Sequence, residues 1–442
     1  MLFHSTQFFA FLLVVLASFY AVPFRAGKLI LLAASYAFYM AWNPRFVWLL
    51  LTLTVIDYWA ARLMNKLMLT VSITANLAFL GFFKYYNFVA IETGHLPLLA
   101  IVLPLGISFH TFQSISYVVD VYRGEQAAIR YFPDYALFIS FFPQLVAGPI
   151  VRAREFFADL NHWTSPAWRM VQEGTLLFLI GLTKKLVFAD PFGMVSDSYF
   201  GNVRSNPGSL AAWTGAFAFA MQIFFDFSGY TDMAIGLAKL FGFHFPENFA
   251  RPYLSASVTE FWRRWHMSLS RWLRDYLYIP LGGNRHGQAK TLRNLMLTML
   301  LGGLWHGANW NFVLWGGWHG MLLSGERLAQ GRVRCPYLLR WVATFAVVIM
   351  GWVLFRARNL SDAAYVFGQM FQPAAGACLL TPGLIALTMV ALAGAVAEER
   401  WAMCARFPDA SWGTRVGVLF VLFLALEYCS AGVERSFLYF QF

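Results

Sequence analysis

Two histidines lie within a long apolar run of the sequence, where titratable side chains are uncommon. The run, residues 295–323, contains His306 and His319 together with Asn309 and Asn311. Burying an ionisable group at membrane depth is costly, so such a residue marks a candidate functional site. A neutral imidazole accepts protons near physiological pH, which suits the general base of an acyl transfer. The alternative is a packed histidine that bonds to a backbone carbonyl, and the sequence leaves it open for both residues.

Helical spacing separates these two histidines. His306 and Asn309 share one face of a helix because they are three residues apart, whereas His306 and His319 are 13 residues apart. At about 3.6 residues per turn, the second spacing rotates the side chains by more than a third of a turn. We therefore predict that one straight helix aims only one histidine into a cavity and that the other is structural. Gly303 and Gly307 beside His306 allow helices to approach closely.

The segment from 248 to 293 is rich in arginine and tryptophan and poor in acidic residues. We predict that residues 259–278 form an amphipathic helix at the cytoplasmic membrane surface, with tryptophans at headgroup depth. Arginine pairs phosphate oxygens bidentately, so this face is either a membrane anchor or a binding face for a phosphate-bearing substrate. His266 lies inside the segment, where a lone histidine is more often a surface residue. The basic residues are Arg251, Arg263, Arg264, Arg271, Arg274, Arg285, Lys290 and Arg293.

Two carboxylates, Asp226 and Asp232, stand at the end of another apolar run, in the sequence IFFDFSGYTDMAIG. They are six residues apart, which puts them on different faces of a helix. Two acids near a membrane can bind a cation or carry protons. The other interpretation, the more common arrangement, is that they pair with arginine and cap a helix.

The amino-acid composition indicates that these residues belong to a helical protein embedded in a membrane. Of the 442 residues, 59% are hydrophobic and 12% are charged, whereas soluble domains carry about 25% charged residues. Repeated apolar runs predict about eleven to thirteen spanning or re-entrant helices. The first run, residues 8–24, lacks a positive n-region and a cleavage site, which predicts a spanning helix rather than a signal peptide. We therefore expect an all-α polytopic membrane protein with a single domain over residues 1–442.

The net charge of +11 fits membrane topology better than nucleic-acid binding. Lysine and arginine concentrate in cytoplasmic loops, and basic residues follow alternate apolar runs here. This alternation predicts a multi-pass protein whose N-terminus lies outside the cytoplasm. Arg45 and Lys84 fall on the side predicted to be outside the cytoplasm, so the positive-inside rule holds here only as a tendency. The residues that carry the prediction are Arg25, Lys28, Arg62, Lys66 and Arg123.

Motifs that define several other enzyme classes are absent from the sequence. It has no Walker A loop, no HExxH and no GxSxG, so an ATP-driven pump, an intramembrane zinc protease and a serine hydrolase are not indicated. Four widely spaced cysteines without a CxxC pattern predict neither a disulfide framework nor a metal site. Two function classes remain: an enzyme with an intramembrane histidine as general base, and a transporter that uses the polar groups as a pathway.

Longer motifs resemble the membrane-bound O-acyltransferases, in particular the bacterial alginate and polysaccharide O-acetyltransferase branch. The strongest are RRWHMSLSRWLRDYLYIPLGGNR at 263–285 and LGGLWHGANWNFVLWGGWHG at 301–320. The resemblance runs from residue 1 to 442 and includes ENFARPYLSASVTEFW at 247–262 and the terminal FLYFQF. It implies a ring of spanning and re-entrant helices around a central tunnel in the bacterial inner membrane.

The resemblance also implies a reaction and the residues that perform it. Members of this branch take acetyl from a cytoplasmic donor, expected to be acetyl-CoA, and deliver it to hydroxyls of an extracytoplasmic polysaccharide such as alginate. His306 matches the family's catalytic histidine, and His266 matches its second recurrent polar position. A separate periplasmic SGNH-type protein is the expected partner, with membrane lipid around the chain, and no bound cofactor, metal or nucleic acid is expected. The side chains expected to contact donor or substrate are Trp305, Asn309, Asp232, Arg263, Arg264 and Arg274, the arginines through the phosphates of coenzyme A.

Two departures from the branch leave the acceptor open. The chain is short for the alginate type, with a reduced loop after the third helix and a trimmed C-terminal third, and its length approaches that of the teichoic-acid D-alanyl transfer branch. GGNR and LVAGPI nevertheless resemble the polysaccharide type more. D-alanyl or other acyl transfer is therefore one alternative function, and a non-catalytic transporter or export subunit is another.

Overall fold

The computed structural model describes residues 1–329, 335–429 and 435–438, and within these ranges every regular element is a helix. The predicted all-α class is confirmed for this part of the chain. Residues 439–442, which complete the FLYFQF motif, lie outside the described residues. The described chain divides into two compact units, residues 1–178 with 233–246, and residues 179–232 with 247–442. The single domain over residues 1–442 stays a prediction.

The first unit contains the N-terminal helices, and two long helices carry residues of both units. Helices of the first unit are α1 Thr6–Tyr20, α2 Phe24–Met40, α3 Val47–Arg62, α4 Lys66–Leu80, α5 Tyr86–Thr93, α6 Ile107–Tyr122, α7 Phe132–Ser140 and α8 Ala153–Asn161. The next helices are α9 Trp168–Thr183, α10 Asp190–Gly201 and α11 Ser209–Leu240. The second unit continues with α12 Val258–Arg264, α13 Met267–Leu273, α14 Gln288–His306, α15 Trp310–Ala329, α16 Tyr337–Arg356, α17 Leu360–Met370, α18 Pro382–Trp401, α19 Met403–Arg406 and α20 Trp412–Cys429.

Four helical segments of the described chain are long and apolar enough to cross a membrane. They are Lys66–Thr93, Ser209–Leu240, Tyr337–Arg356 and Pro382–Trp401, and the shortest have 20 residues. At about 1.5 Å per residue, 20 residues cover the roughly 30 Å of a hydrocarbon core. The protein is therefore a membrane protein. The expected first span corresponds to α1, an apolar helix of 15 residues. The larger number of helices and their ring around a tunnel stay predictions.

A buried carboxylate organises the polar interior of the first unit. Asp57 on α3 has no exposed surface, and its Oδ1 atom accepts hydrogen bonds from Ser72 Oγ at 2.5 Å and Asn76 Nδ2 at 2.8 Å on α4. A buried charge or polar group is costly unless it is hydrogen-bonded. The two side chains from α4 therefore replace hydrogen bonds that Asp57 would make to water in the unfolded chain. They also link α3 to α4.

A buried ion centre organises the second unit. Lys185 belongs to a π-helical turn, Lys184–Ala189, and its side chain is 1% exposed. Its Nζ atom lies 2.7 Å from Asp226 Oδ1 and 2.8 Å from Asp190 Oδ1. The adjacent Lys184 pairs with Asp232 at 2.5 Å. The interpretation of Asp226 and Asp232 as helix caps paired with arginine is therefore wrong: both lie inside α11 and pair with lysine.

The segment 435–438 completes this ion centre. The Leu438 amide donates to Asp226 Oδ2 at 2.7 Å, and Lys185 Nζ donates to the Ser436 carbonyl oxygen at 3.4 Å. The Phe437 ring lies under the same ammonium group, 4.8 Å from Nζ to the ring centroid. Hydrogen bonds to a buried charge replace part of its lost hydration, so this segment stabilises both partners of the ion pair.

The apolar run 295–323 is a helical hairpin and not one straight helix. Helix α14 ends at His306 because Gly307 is extended, and α15 starts at Trp310. A Cβ atom at Gly303 would overlap the Phe312 carbonyl oxygen, and one at Gly316 would overlap the Met299 carbonyl oxygen. These glycines let the two backbones touch, as small residues do between membrane helices.

Replacing Gly316 with alanine is expected to destabilise the second unit by about 1–3 kcal/mol, because overpacking forces the helices apart. Gly317→Ala is the matched control. Its new Cβ would lie 3.5 Å from Leu300 Cδ2, an ordinary contact. Thermal unfolding of both purified variants in detergent, followed by tryptophan fluorescence, measures the difference. Equal melting temperatures would contradict the proposed close approach.

Candidate functional site

The segment predicted as one amphipathic helix over 259–278 is broken at His266. Helix α12 ends at Arg264, Trp265 is extended, and His266 adopts the left-handed conformation with φ 42° and ψ 54°. Helix α13 follows, and a π-helical turn spans Arg274–Tyr278. The prediction fails because Trp265 and His266 turn into the protein interior, where both are buried. Such a backbone costs of order 1–3 kcal/mol and persists where surrounding contacts hold it, which is common at functional sites.

Asn248 makes polar contacts with His266 and with the residues that follow it. The Asn248 Oδ1 atom lies 3.2 Å from His266 Nδ1 and accepts hydrogen bonds from the Ser268 amide at 3.0 Å and hydroxyl at 2.9 Å. The Phe227 ring meets the imidazole edge-to-face, with centroids 4.7 Å apart. Burial lowers the pKa of His266 to about 3. The imidazole is therefore neutral at physiological pH and available as a hydrogen-bonding group.

His306 is the last residue of α14 and is 5% exposed. Its ring centroid lies 5.0 Å from that of Trp305, 5.1 Å from Trp315 and 5.3 Å from Phe355. The expected pairing of His306 with Asn309 on one helix face is wrong, because the helix ends between them. Asn309 belongs to the turn of the hairpin, where its Oδ1 atom accepts from the Asn311 amide at 2.9 Å.

Trp305 connects the two predicted catalytic histidines. Its ring centroid is 5.0 Å from His306 and 6.4 Å from His266, and all three side chains are buried. We call His266, Trp305 and His306 the histidine cluster. The two imidazoles lie in an apolar shell that excludes bulk water, and an imidazole in such a site is a candidate for general acid–base chemistry.

Comparison with known proteins identifies the protein family. The membrane-bound O-acyltransferase (MBOAT) family model matches residues 125–366. A probable alginate O-acetylase AlgI of Azotobacter vinelandii is 46% identical over 392 residues, covering 84% of this chain and 78% of that protein. The chain belongs to the membrane-bound O-acyltransferase family. It is therefore an acyltransferase, and the matched region contains the whole histidine cluster.

Two further relatives place the chain within the MBOAT family. A peptidoglycan O-acetyltransferase of Helicobacter pylori is 39% identical and covers 78% of this chain and 73% of that protein. A teichoic acid D-alanyltransferase of Bacillus subtilis is 29% identical and covers 60% of this chain and 70% of that protein. The resemblance to the alginate O-acetyltransferase branch is confirmed, since the identity and coverage are higher there than for the D-alanyltransferase.

His319 lies on α15, in the same unit as the histidine cluster. Its contacts differ from those of His266 and His306. Its Nδ1 atom accepts a hydrogen bond from Trp262 Nε1 at 3.3 Å, and its ring stacks on Phe261 with centroids 6.2 Å apart. The Trp315 ring contacts both histidines, with centroid distances of 5.0 Å to His319 and 5.1 Å to His306. These are contacts of a packed aromatic core. Both histidines of the hairpin therefore contact the same tryptophan.

The predicted donor-binding side chains fall into two groups. Arg263 is exposed, whereas Arg264 pairs with Glu260 at 2.8 Å and Arg274 pairs with Asp275 at 2.6 Å. Binding of phosphate by the paired arginines would have to displace or share a carboxylate. Asp232 is held by Lys184. The structure thus brings Trp305 together with both histidines and gives the two arginines and Asp232 partners within the chain.

Sequence analysis missed Asn248 as a site residue in this MBOAT protein. Asn248 lies in the segment ENFARPYLSASVTEFW, which carried the family resemblance without a role for any of its residues. A single amide, 18 residues before His266 in the chain, gives no local pattern that links the two. Only the tertiary structure shows that Asn248 contacts His266, Met267 and Ser268.

Proposed function

We propose that this MBOAT protein transfers an acetyl group from a cytoplasmic donor, acetyl-CoA, to hydroxyls of an extracytoplasmic polysaccharide such as alginate. Support comes from the relative named alginate O-acetylase at 46% identity over most of both chains. The observation that carries the proposal is the buried His306 at the end of α14, beside Trp305 and within the matched region. Delivery occurs directly or through the hydroxyl of a separate periplasmic SGNH-type protein.

The proposed chemistry uses His306 as general base and then general acid. Its neutral imidazole removes the proton from the attacking hydroxyl, whose oxygen forms a bond to the thioester carbonyl carbon. The carbon–sulfur bond then breaks, and the imidazolium returns its proton to the leaving thiolate. One ester and one thiol form from one thioester and one alcohol, so no other reactant is needed. His266 is the second proposed catalytic residue.

The proposed architecture is a ring of spanning and re-entrant helices around a tunnel that gives both substrates access to the histidine cluster. Because charged and polar groups are excluded from lipid, an enzyme with a donor on one side and an acceptor on the other needs such a passage. The N-terminus is proposed to lie outside the cytoplasm of a bacterial inner membrane. Four apolar helices of spanning length support a membrane location.

Donor binding is proposed for the basic face around Arg263, Arg264 and Arg274, with Trp305, Asn309 and Asp232 as further substrate contacts. Guanidinium groups bind phosphate through parallel hydrogen bonds, and Arg263 and Arg274 are exposed. Titration of detergent-purified protein with coenzyme A tests this role. Arg263→Ala is expected to weaken binding, whereas unchanged affinity in all three arginine-to-alanine variants would contradict it.

The decisive experiment measures acetyl esters on extracellular polysaccharide in a strain that lacks this protein. Complementation with the wild-type chain is expected to restore the esters. Complementation with His306→Ala, present in the membrane in an equal amount, is not expected to restore them. A purified-protein assay then compares acetyl-CoA with D-alanyl carrier protein as donor. Ester formation from the D-alanyl donor alone would overturn acetyl transfer in favour of the alternative suggested by the Bacillus subtilis relative. Solute flux without any new ester would indicate the transporter alternative.

A further inference from the structure

We propose that Asn248 is a positioning residue that fixes the tautomer of His266, with hydrogen on Nδ1 and the lone pair on Nε2. His266 then takes part in acyl transfer as a hydrogen-bond acceptor. The inference rests on the proposed catalytic role of His266 and names the residue that sets how it acts. Its basis is the hydrogen-bond geometry around a buried amide.

The neighbours of Asn248 decide which atom of its amide faces His266. The Ser268 backbone N–H lies 3.0 Å from Asn248 Oδ1, and a backbone N–H can only donate. The atom that it faces must therefore be the oxygen of the amide. That oxygen carries no hydrogen, so His266 Nδ1, 3.2 Å away, must be the donor in their contact. The imidazole is thus protonated on Nδ1, and its Nε2 atom has the lone pair.

Asn248 is held in this orientation from several sides. Its Nδ2 atom donates to Thr231 Oγ1 on α11 at 3.4 Å, and its backbone carbonyl oxygen accepts from the Met267 amide at 2.9 Å. The residue has no exposed surface. A rotation of the amide would place its NH₂ group against the Ser268 N–H, two donors facing each other. The orientation that fixes the tautomer is therefore the one that satisfies all of these groups.

This tautomer limits what His266 can do. A neutral imidazole with hydrogen on Nδ1 cannot donate from Nε2, so it cannot polarise a thioester carbonyl through that atom. It can accept a hydrogen bond from the attacking hydroxyl or from the newly formed thiol. The two histidines would then both accept protons or hydrogen bonds. The negative charge that develops on the thioester carbonyl oxygen during attack must therefore be stabilised by other hydrogen-bond donors.

Nitrogen NMR of the purified protein tests the tautomer without any assay of activity. Histidine is labelled with ¹⁵N, and the His266 signal is identified by its loss in His266→Gln. The wild-type ring is expected to show a protonated Nδ1 and an unprotonated Nε2. Asn248→Asp, which still offers an oxygen, is expected to keep this pattern, whereas Asn248→Ala is expected to lose it. A wild-type ring protonated on Nε2 would overturn the inference.

Ser268→Ala is the matched control for the loss of a hydrogen bond to Asn248. It removes the 2.9 Å hydroxyl contact and leaves the Ser268 amide and His266 contacts in place. The control is expected to keep the His266 tautomer, and a control ring that switches tautomer contradicts the proposal. If Asn248→Ala does not fold, the wild-type, Asn248→Asp and Ser268→Ala spectra still decide the question.

Acetyl transfer measured on the same variants separates positioning from folding. Asn248→Ala is expected to lower kcat by about 10²-fold, the lower end of what acid–base groups contribute, with KM for acetyl-CoA little changed. Asn248→Asp is expected to rescue most of this loss, and an Asn248→Ala enzyme with wild-type kcat contradicts the positioning role. If the tautomer is as inferred but neither the wild-type protein nor any variant makes esters, the proposed function fails. The positioning of His266 by Asn248 would still stand in that case.

Discussion

Replacement of His306 by alanine or glutamine is expected to lower acetyl transfer by about 10²–10⁴-fold, the usual contribution of a general base. Glutamine is the sharper variant because it keeps a polar side chain of similar length in the contacts with Trp305, Trp315 and Phe355. It cannot accept a proton at neutral pH. The measurement is ester formation by purified enzyme at saturating acetyl-CoA.

A matched control separates catalysis from a general effect of losing a histidine. His162 is exposed at the end of α8, so His162→Ala is expected to keep wild-type activity and stability. His306→Gln is expected to reach the membrane in normal amounts and to melt near the wild-type temperature. Wild-type ester formation by His306→Gln would assign the residue a structural role and would direct the search for the base to His266 or His319.

Replacement of Lys185 by methionine is expected to destabilise the protein by about 3–5 kcal/mol, the cost of breaking a buried ion pair from one side. The ammonium group is 1% exposed and serves Asp226 and Asp190 together. Without it, two carboxylates would stay buried near each other. Thermal unfolding in detergent, and the amount of protein recovered from the membrane, measure the effect.

The charge balance of this ion centre provides the control for Lys185→Met. One ammonium serves two carboxylates, and Asp190 Oδ2 has no hydrogen-bond partner among the described residues. Asp190→Asn removes one negative charge and keeps the shape, so it is expected to cost far less stability than Lys185→Met. An equal loss of stability in both variants would contradict the view that Lys185 compensates an excess of negative charge.

Sequence predicted the helical class, which is confirmed for the described residues, because helices leave a local signal. The catalytic roles of His306 and His266 stay predictions, and they too rest on a local signal. Apolar runs predict helices, and LWHGAN places His306 in a recognisable motif. The hairpin was missed because the run 295–323 is predominantly apolar from end to end. Its turn depends on Gly307 and Asn309, residue types that occur in turns but also inside helices.

Other features were missed because distant residues create them. The break at His266 interrupts a segment whose pattern continues as an amphipathic helix, and the contacts that hold it come from Asn248. The ion centre was missed because Lys185 and Asp226 are 41 residues apart in the sequence and no local pattern pairs them. Tertiary contacts of this kind override local propensity, and one sequence without its homologues does not indicate them.

The contacts of Ser436 and Leu438 with the ion centre join residues that are far apart in the sequence. Ser436 is 251 residues from Lys185, and Leu438 is 212 residues from Asp226. Contacts between residues so far apart require a large loop to close, so they form later than the local hydrogen bonds of a helix. We therefore expect the ion centre to be completed at a late step of assembly, after the helices around Lys185 and Asp226 have formed.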